Sequence, residues 1–478
     1  MDSIVQAVFE HSQSTPDKTA IAVDDNSISY RELAERIRIF SSSLKTHSVK
    51  KGQRIAIESD DLISYFTAFL GCQLCGAIAV PIEENISIYK LQDILGATKP
   101  TLVFTKHNGE SYDDFLNGSL PSGKISYPKG NATSAVIATT GTTGKPVLVT
   151  HTNKSMLSEA QNLCNGTKIT EDTILFANIP FNLALGYRRV FALLYAGATA
   201  VLASEPLSLE LLSNYIEKFN INYLTIVHSD MNMLLDIEDP VMAQAVRCLE
   251  AVEIMAGPIT GLQIRSFCRQ YPDIAFYNVY GATESGCILI NEMSKNPVEN
   301  CLGKPAVHAD ISIVDENGTR VETPDQYGYI SVKGDMNMSG YYHKKALTEK
   351  VMQAGYIVLN DIGYFDDEGY FYFVSRVGDI IDVGGHKIAP SEIEQAVWGF
   401  EGILDCACAA QEDQDYNQVP ILYITCSDPD FDTTKLQHYL EQHLESYKIP
   451  QQIIPIDKIP RTATGKILRK SLSIPQKS

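Results

Sequence analysis

Leu33, Ile37, Phe40 and Leu44 recur three or four residues apart behind Ser29-Tyr30-Arg31-Glu32, so four apolar side chains share one face of a predicted helix. The Ser-x-x-Glu order ahead of them is a capping box, in which hydroxyl and carboxylate satisfy backbone N–H groups that a helix start leaves bare. The period then shortens. Apolar runs at 54–58, 77–81 and 101–105 alternate with helical stretches that begin at Leu62 and Ser87. A second round follows, with predicted strands near 173–176, 198–203, 223–227, 252–255 and 275–279. Such alternation implies an α/β fold built on parallel sheets. Between the rounds, residues 108–131 are rich in Gly, Ser, Pro and Asp and read as a surface excursion.

From Leu302 onward the texture is that of β-hairpins, with strands at 311–314 and 329–333 and a turn at Asn317-Gly318. Past Arg376 come Gly378, Gly384 and Gly385, a second capping box at Ser391 to Glu394, and a tail that mixes helices with strands such as 419–426. A boundary between Arg376 and Asp379 divides the chain into 1–376 and 377–478. The second part, about 100 residues, is an ordinary domain size.

Composition narrows the chemistry. At 478 residues, two to four structural units are expected, and 44% hydrophobic with 20% charged residues is globular. A formal net charge of -19 argues against bulk attraction to nucleic acid or anionic lipid, so any nucleotide must be held by a local site. The uncharged run 62–82 is long enough to span a bilayer, but Gln73 interrupts it and Gly76 and Pro81 punctuate it as a buried helix followed by a buried strand. Ten cysteines in so long a chain suit a reducing cytoplasm. Cys72-x-x-Cys75 lies in an apolar helix without a second pair or nearby histidines, and Cys406 and Cys408 alternate as strand neighbours, so both pairs read as core. Residues 1–13 carry Asp2 and Glu10 and lack the basic and apolar blocks of a signal peptide, which also points to the cytoplasm.

The candidate chemistry centres on Thr139, Thr140, Gly141, Thr142, Thr143, Gly144, Lys145 and Pro146. Two glycines allow close backbone approach to an anion, threonines add hydroxyl donors, and Lys145 adds a charge. Two residues between the glycines and a proline after the lysine distinguish it from the usual nucleotide P-loop. Taken alone, an exposed Gly/Thr turn has the same composition. In parallel sheets ligands collect at the carboxyl ends of strands, which directs attention to Ala256-Gly257-Pro258 and Tyr280-Gly281-Ala282-Thr283-Glu284.

Four stretches in order, T-T-G-T-T-G-K-P, Y-G-A-T-E-S-G, G-Y-F-D-D-E-G-Y-F-Y-F-V-S-R-V-G-D-I-I-D-V-G-G and P-R-T-A-T-G-K-I-L-R-K, resemble the adenylate-forming superfamily. That superfamily holds acyl- and aryl-CoA synthetases, adenylation domains of nonribosomal peptide synthetases and firefly luciferase. The resemblance implies a large N-terminal domain of layered sheets and helices with a β-barrel-like subdomain, and a small mobile α+β C-terminal domain. It implies ATP and Mg²⁺, with CoA or a phosphopantetheinyl carrier protein as acceptor and a small carboxylic acid as substrate. By matching, Lys466 reaches the α-phosphate and the acid's carboxylate, Glu284 holds Mg²⁺ and Thr283 touches phosphate. Tyr280, beside Gly281, lies against adenine, with Asn278 and the Gly257 backbone hydrogen-bonding near it. Asp361 accepts the ribose hydroxyls with Arg376 close by, and the loop at 139–145 holds the outer phosphates. Gly384 and Gly385 line the thiol's path.

The chain departs from the family pattern at three places. Val147 and Leu148 stand where Lys-Gly usually follows the loop's proline, and Gly378 stands at the hinge position, usually Asp or Lys. The segment 179–191, where amino-acid-activating members carry an Asp for the α-amino group, has no carboxylate, and an unpaired buried ammonium is costly. Phe181, Asn182, Leu183, Ala184, Ile254, Ala256, Val279 and Cys287 match the acid pocket and suit an aromatic or hydrophobic acid, with Asn182 facing a ring hydroxyl. Arg188 and Arg189 offer a second carboxylate a partner, although exposure is the commoner fate of such a pair. The expected activity is that of an acid-thiol ligase. Two rivals remain open at this level: a free-standing enzyme that adenylates an amino or dicarboxylic acid and loads a separate carrier, and a non-catalytic AMP-binding sensor.

Overall fold

The computed structural model describes residues 1–472 apart from 60, 85, 106–108, 140–146, 204–206, 256–258, 399, 414, 429–430 and 463–465. The first capping box forms as the pattern requires. Ser29 Oγ accepts from Glu32 N at 3.3 Å, and the Glu32 carboxylate accepts from Ser29 N at 2.8 Å, at the start of the helix Tyr30–Thr46. Leu33, Ile37, Phe40 and Leu44 are fully buried, each side chain contributing about 1.5–3 kcal/mol by leaving water.

The long apolar run resolves into the helix Leu62–Cys75, capped by Asp61, and the strand Ile78–Ile82. Gly76, at φ +79°, ends the helix in a left-handed conformation that a side chain would strain. No described helix is long and apolar enough to cross a membrane. Cys72, Cys75, Cys406 and Cys408 are buried, and no group of three His, Cys, Asp or Glu among the described residues could hold a metal by itself.

The alternation yields two sheets. In the first, Arg54–Glu58, Ile78–Ile82, Leu102–Phe104 and Thr133–Ala138 run parallel, and Leu148–Thr152 turns back antiparallel on Thr133–Ala138. In the second, the strands Ala275–Ala282, Ala251–Met255, Tyr223–Val227, Ile174–Ala177, Thr199–Leu202 and Thr19–Val23 lie side by side in parallel. Beyond Ala275–Ala282 the sheet continues antiparallel through Gly286–Glu292, Cys301–Pro305 and Phe371–Arg376 to Tyr356–Phe365, Gly328–Lys333 and Asp310–Val314. Its hairpin turn at Asn317-Gly318 is tied by Asp315, whose Oδ1 accepts from Asn317 N and Thr319 N.

A third sheet, Ile381–Val383, His386–Ile388, Ile403–Asp413, Asn417–Cys426 and Gln452–Pro455, has its own core of Ile381, Ile388, Ile393, Val397, Leu422, Leu436 and Leu440.

Three local readings change. The excursion at 108–131 contains a short helix, Tyr112–Leu116, because Phe115 buries itself against Phe40 and Phe104. The strand expected at 275–279 runs on to Ala282, so only Thr283 to Ser285 form the turn. The second capping box is displaced. Pro390 occupies the first turn of the helix Pro390–Val397, where its fixed φ suits a helix start, and Glu392 reaches back to Ala389 N at 3.3 Å. Ser391 and Glu394 are thereby released for other contacts, described next.

Candidate active site

The hairpin joining Ala275–Ala282 to Gly286–Glu292 carries Thr283 and Glu284 at its tip. It is narrow. Gly281 lies opposite Cys287, and a Cβ on Gly281 would collide with the Gly286 carbonyl, while Gly286 itself has φ +70°. Only glycine fits both positions without moving the backbone.

One strand pair over, Asp361 and Arg376 are direct partners across the antiparallel ladder. The Tyr280 hydroxyl donates to Asp361 Oδ2 at 2.6 Å, and Arg376 Nε approaches Asp361 Oδ1 at 3.4 Å. Burial and the adjacent carboxylate hold the Tyr280 phenol well above its ordinary range, so it remains a donor. Asn278 Nδ2 donates to the Cys301 carbonyl at 3.3 Å, which fixes that amide two residues before Tyr280.

Glu284 is steadied by the Tyr341 hydroxyl, which donates to Glu284 Oε1 at 3.0 Å. Its carbonyl accepts from Met338 N at 2.8 Å. Tyr341 belongs to the short strand Gly340–Tyr341, which pairs with Leu148–Thr152. Sequence reasoning missed Tyr341, whose only signal was a Gly-Tyr pair in a polar stretch. The Glu284 carboxylate is a hard oxygen donor of the kind that suits Mg²⁺ completed by nucleotide phosphates.

Lys466 enters from the third sheet. Its loop is closed by Leu468 N to the Pro460 carbonyl and Thr462 N to the Lys466 carbonyl, both 2.8 Å. Arg461 grips Asp405 with Nη2 at 2.8 and 3.0 Å from its two oxygens. Arg469, half-buried behind the loop, pairs with Glu394, with Asp379 at 3.3 Å and with the Cys408 carbonyl at 2.6 Å. Ser391 Oγ donates to the Val374 carbonyl and ties the helix Pro390–Val397 to the strand that bears Arg376. So anchored, Lys466 lies within electrostatic reach of Arg376, Asp361 and Glu284. Burial and Arg376 lower its pKa, and the two carboxylates oppose that shift without cancelling it.

The phosphate-loop residues Thr140, Gly141, Thr142, Thr143, Gly144, Lys145 and Pro146 lie outside the described residues, as do Ala256 and Gly257. Their frame is described. Thr139 N donates to the Val147 carbonyl at 2.8 Å, next to the last rung of the antiparallel pair Thr133–Ala138 and Leu148–Thr152. Leu148, where the family carries a small or charged residue, is buried against the first sheet's core, which explains its apolar character.

Of the acid-pocket candidates, Phe181, Ala184, Val279 and Cys287 are buried in one apolar cluster, and Leu183 caps the helix Ala184–Ala196 directly after Asn182. Ile254 is not brought to them. It packs with Phe176, Leu224 and Ile226 in a different cluster, because strand alternation sends Glu253 and Met255, not Ile254, to the Phe181 side.

Arg188 and Arg189 are corrected as well, since both are buried instead of exposed. Arg188 Nε lies 2.8 Å from Glu159 Oε2, and Arg189 pairs with Glu253, which also accepts from Thr225 Oγ1 at 2.6 Å. Glu159 and Glu253 sit on other elements, so nothing in the local sequence marked them as partners.

Gly384 and Gly385, at φ +56° and +94°, form the turn between Ile381–Val383 and His386–Ile388. Gly384 N donates to the Tyr416 carbonyl at 2.7 Å. Gly378 lies in a 3₁₀ turn, Val377–Asp379, with open space around it.

Residues 8–342 match the family described as AMP-binding enzyme, and residues 392–466 match the AMP-binding enzyme C-terminal domain. The chain is 26% identical over 479 residues to the 2-succinylbenzoate–CoA ligase of Bacillus subtilis (strain 168), a match covering 97% of this chain and 96% of that one. The fold superposes on the o-succinylbenzoate CoA synthetase of Bacillus subtilis, in complex with the acyl-adenylate intermediate, with a TM-score of 0.85 and 25% identity over 98% of each chain. ATP-bound MatB from Rhodopseudomonas palustris gives a TM-score of 0.91 at 19% identity, over 98% of this chain and 99% of that one, a likeness of fold.

Proposed function

Because the chain belongs to the family of AMP-binding enzymes, we propose that it is an ATP-dependent acid-thiol ligase acting on an aromatic or hydrophobic carboxylic acid, with CoA as the acceptor. The observation that carries this reading is that Lys466, on the loop that follows the third sheet, lies within electrostatic reach of Glu284 and Asp361 in the second. Binding a nucleotide needs no such cation. Bringing a carboxylate onto a phosphate does, because two anions must approach and their repulsion has to be offset.

In the first half-reaction a carboxylate oxygen attacks the α-phosphorus, forming an O–P bond while the bond from that phosphorus to the bridging oxygen breaks and pyrophosphate leaves. Lys466 bridges the α-phosphate and the incoming carboxylate. Asp361 accepts from the ribose hydroxyls, Tyr280 lies on adenine, and Thr139 to Lys145 hold the outer phosphates. Glu284 would hold magnesium, with Thr283 beside it on phosphate, and the bound metal would supply further charge neutralisation. In the second half-reaction the thiol sulfur attacks the acyl carbon and AMP departs, with Gly384 and Gly385 leaving room along the thiol's path. The division into 1–376 and 377–478 gives the second part freedom to swing between these steps.

The relatives named 2-succinylbenzoate–CoA ligases make that acid the first to test. Since Arg188 and Arg189 are already paired with Glu159 and Glu253, a second carboxylate would have to find its partner elsewhere. The ten free thiols suit a cytoplasmic setting.

A hydroxamate screen over aryl, fatty, amino and dicarboxylic acids, followed by addition of CoA or a purified carrier to enzyme holding adenylate, tests the whole reading. Aryl hydroxamate and acylated CoA are expected. Acylation of the carrier alone would move the assignment to a free-standing loading enzyme, and silence across the panel would favour a non-catalytic AMP binder.

A further inference from the structure

We propose that Arg188 and His151 are positioning residues that hold the Thr283–Glu284 turn by its main chain. Two donors converge there from behind. Arg188 Nη1 donates to the Ala282 carbonyl at 3.0 Å and Nη2 to the Thr283 carbonyl at 2.9 Å, and His151 Nε2 donates to the same Thr283 carbonyl at 2.8 Å. A carbonyl only accepts, so the imidazole proton must sit on Nε2. Burial and the neighbouring guanidinium hold the His151 pKa at about 3, so the ring is neutral at physiological pH.

The other arm of the turn is held by the same ion pair. Glu159 Oε2 faces Arg188 Nε at 2.8 Å, while Glu159 Oε1 accepts from Cys287 N at 3.1 Å. Arg188 and Glu159 thus clamp the hairpin on both sides, and Gly286 lies directly over the Glu159 carboxyl, where a Cβ would come within 3.2 Å. A buried pair of this kind contributes little net stability over apolar residues of similar volume, so its consequence is geometric. It links three parts. His151 lies on Leu148–Thr152, the strand that leaves the phosphate loop, Arg188 lies on the helix that starts at the acid pocket, and both meet at the turn bearing Thr283 and Glu284. The Thr283 and Glu284 side chains are thereby aimed without either donor touching the nucleotide.

This inference rests on the proposed roles of Thr283 and Glu284, and the test separates the two. ATP affinity is measured by calorimetry with Mg²⁺ and with EDTA, alongside kcat for pyrophosphate exchange and KM for the acid. The variants are His151→Leu, His151→Gln, and Arg188→Met combined with Glu159→Met, which removes both charges together. His151→Leu and the paired variant are expected to unfold cooperatively, bind metal-free ATP within about threefold of the parent, and lose about tenfold or more of the Mg²⁺-dependent gain in affinity. Their kcat should fall by about 10–100-fold with little change in the acid's KM, and His151→Gln, which keeps a donor at the Nε2 position, should restore both. Glu284→Gln is the control. If it leaves the Mg²⁺ gain intact, the role of Glu284 fails and this inference with it. If Glu284→Gln abolishes the gain while the other variants keep it, only the positioning role is overturned.

Discussion

The Tyr280 hydroxyl lies 2.6 Å from Asp361 Oδ2, so the carboxylate assigned to the ribose already has one oxygen engaged, with Arg376 at 3.4 Å from the other. A carboxylate oxygen accepts two hydrogen bonds, so this arrangement orients Asp361 and still leaves a lone pair on each oxygen.

A hydrogen bond to a charged group contributes about 1.5–3 kcal/mol, enough for a preference of tenfold or more for ATP over its 2′,3′-dideoxy analogue. Asp361→Ala should erase most of that preference. Tyr280→Phe, which keeps the ring proposed to lie against adenine and removes only the hydroxyl, should retain it. An undiminished preference in Asp361→Ala, read from the two dissociation constants, removes Asp361 from the ribose.

Lys466→Ala should abolish pyrophosphate exchange and leave ATP affinity within a few-fold, because in the proposed mechanism the larger part of the chain holds the nucleotide and the lysine acts on the approach of the second anion. Exchange at the parental rate would withdraw the catalytic assignment.

The Lys466 ammonium also makes a statement about pH. Burial and Arg376 disfavour its charged form more than Asp361 and Glu284 favour it, so its pKa in the nucleotide-free enzyme lies below the ordinary lysine value. Lys466 in this position therefore binds fewer protons than a lysine withdrawn to solvent would, and its placement here should become more favourable as pH rises from the lowered value towards the ordinary one. Added phosphates supply negative charge and reverse the direction. Amine modification of Lys466 followed by peptide mass spectrometry across pH should show an early midpoint that moves up with a non-hydrolysable ATP analogue. A midpoint at or above that of a free lysine without nucleotide would place the side chain in solvent.

Much of the frame was legible because it is written locally. Ser29 and Glu32 cap the predicted helix, Arg54–Glu58 and Tyr223–Val227 are strands to the residue, and Cys72 and Cys75 fill core. The missed features depend on distant partners. Arg188 and Arg189 read as a solvated pair or as partners for a second carboxylate because Glu159 and Glu253 lie on other elements. Ser391 and Glu394 fit a capping pattern, yet Pro390 starts the helix two residues early and frees them for Val374 and Arg469. Ile254 matched a pocket position by motif, but the two-residue period of its strand turns it to the opposite face. Lys466 is the reverse case, invisible to periodicity and singled out only by its motif.

Gly378 carries the last prediction. It lies in the 3₁₀ turn Val377–Asp379, outside the left-handed region, and a Cβ there would meet nothing within 4 Å. This conformation therefore does not require glycine, and Gly378→Ala should leave adenylation close to the parental rate. Glycine's wider range of φ matters only if the backbone takes a second conformation when the part beyond it rotates to admit the thiol. Gly378→Pro, which fixes φ near −65°, should then spare one half-reaction more than the other. Pyrophosphate exchange and thioester formation, measured separately on the same preparation, distinguish the cases. Parallel loss of both would mark the residue as structural and move the pivot elsewhere in the connection.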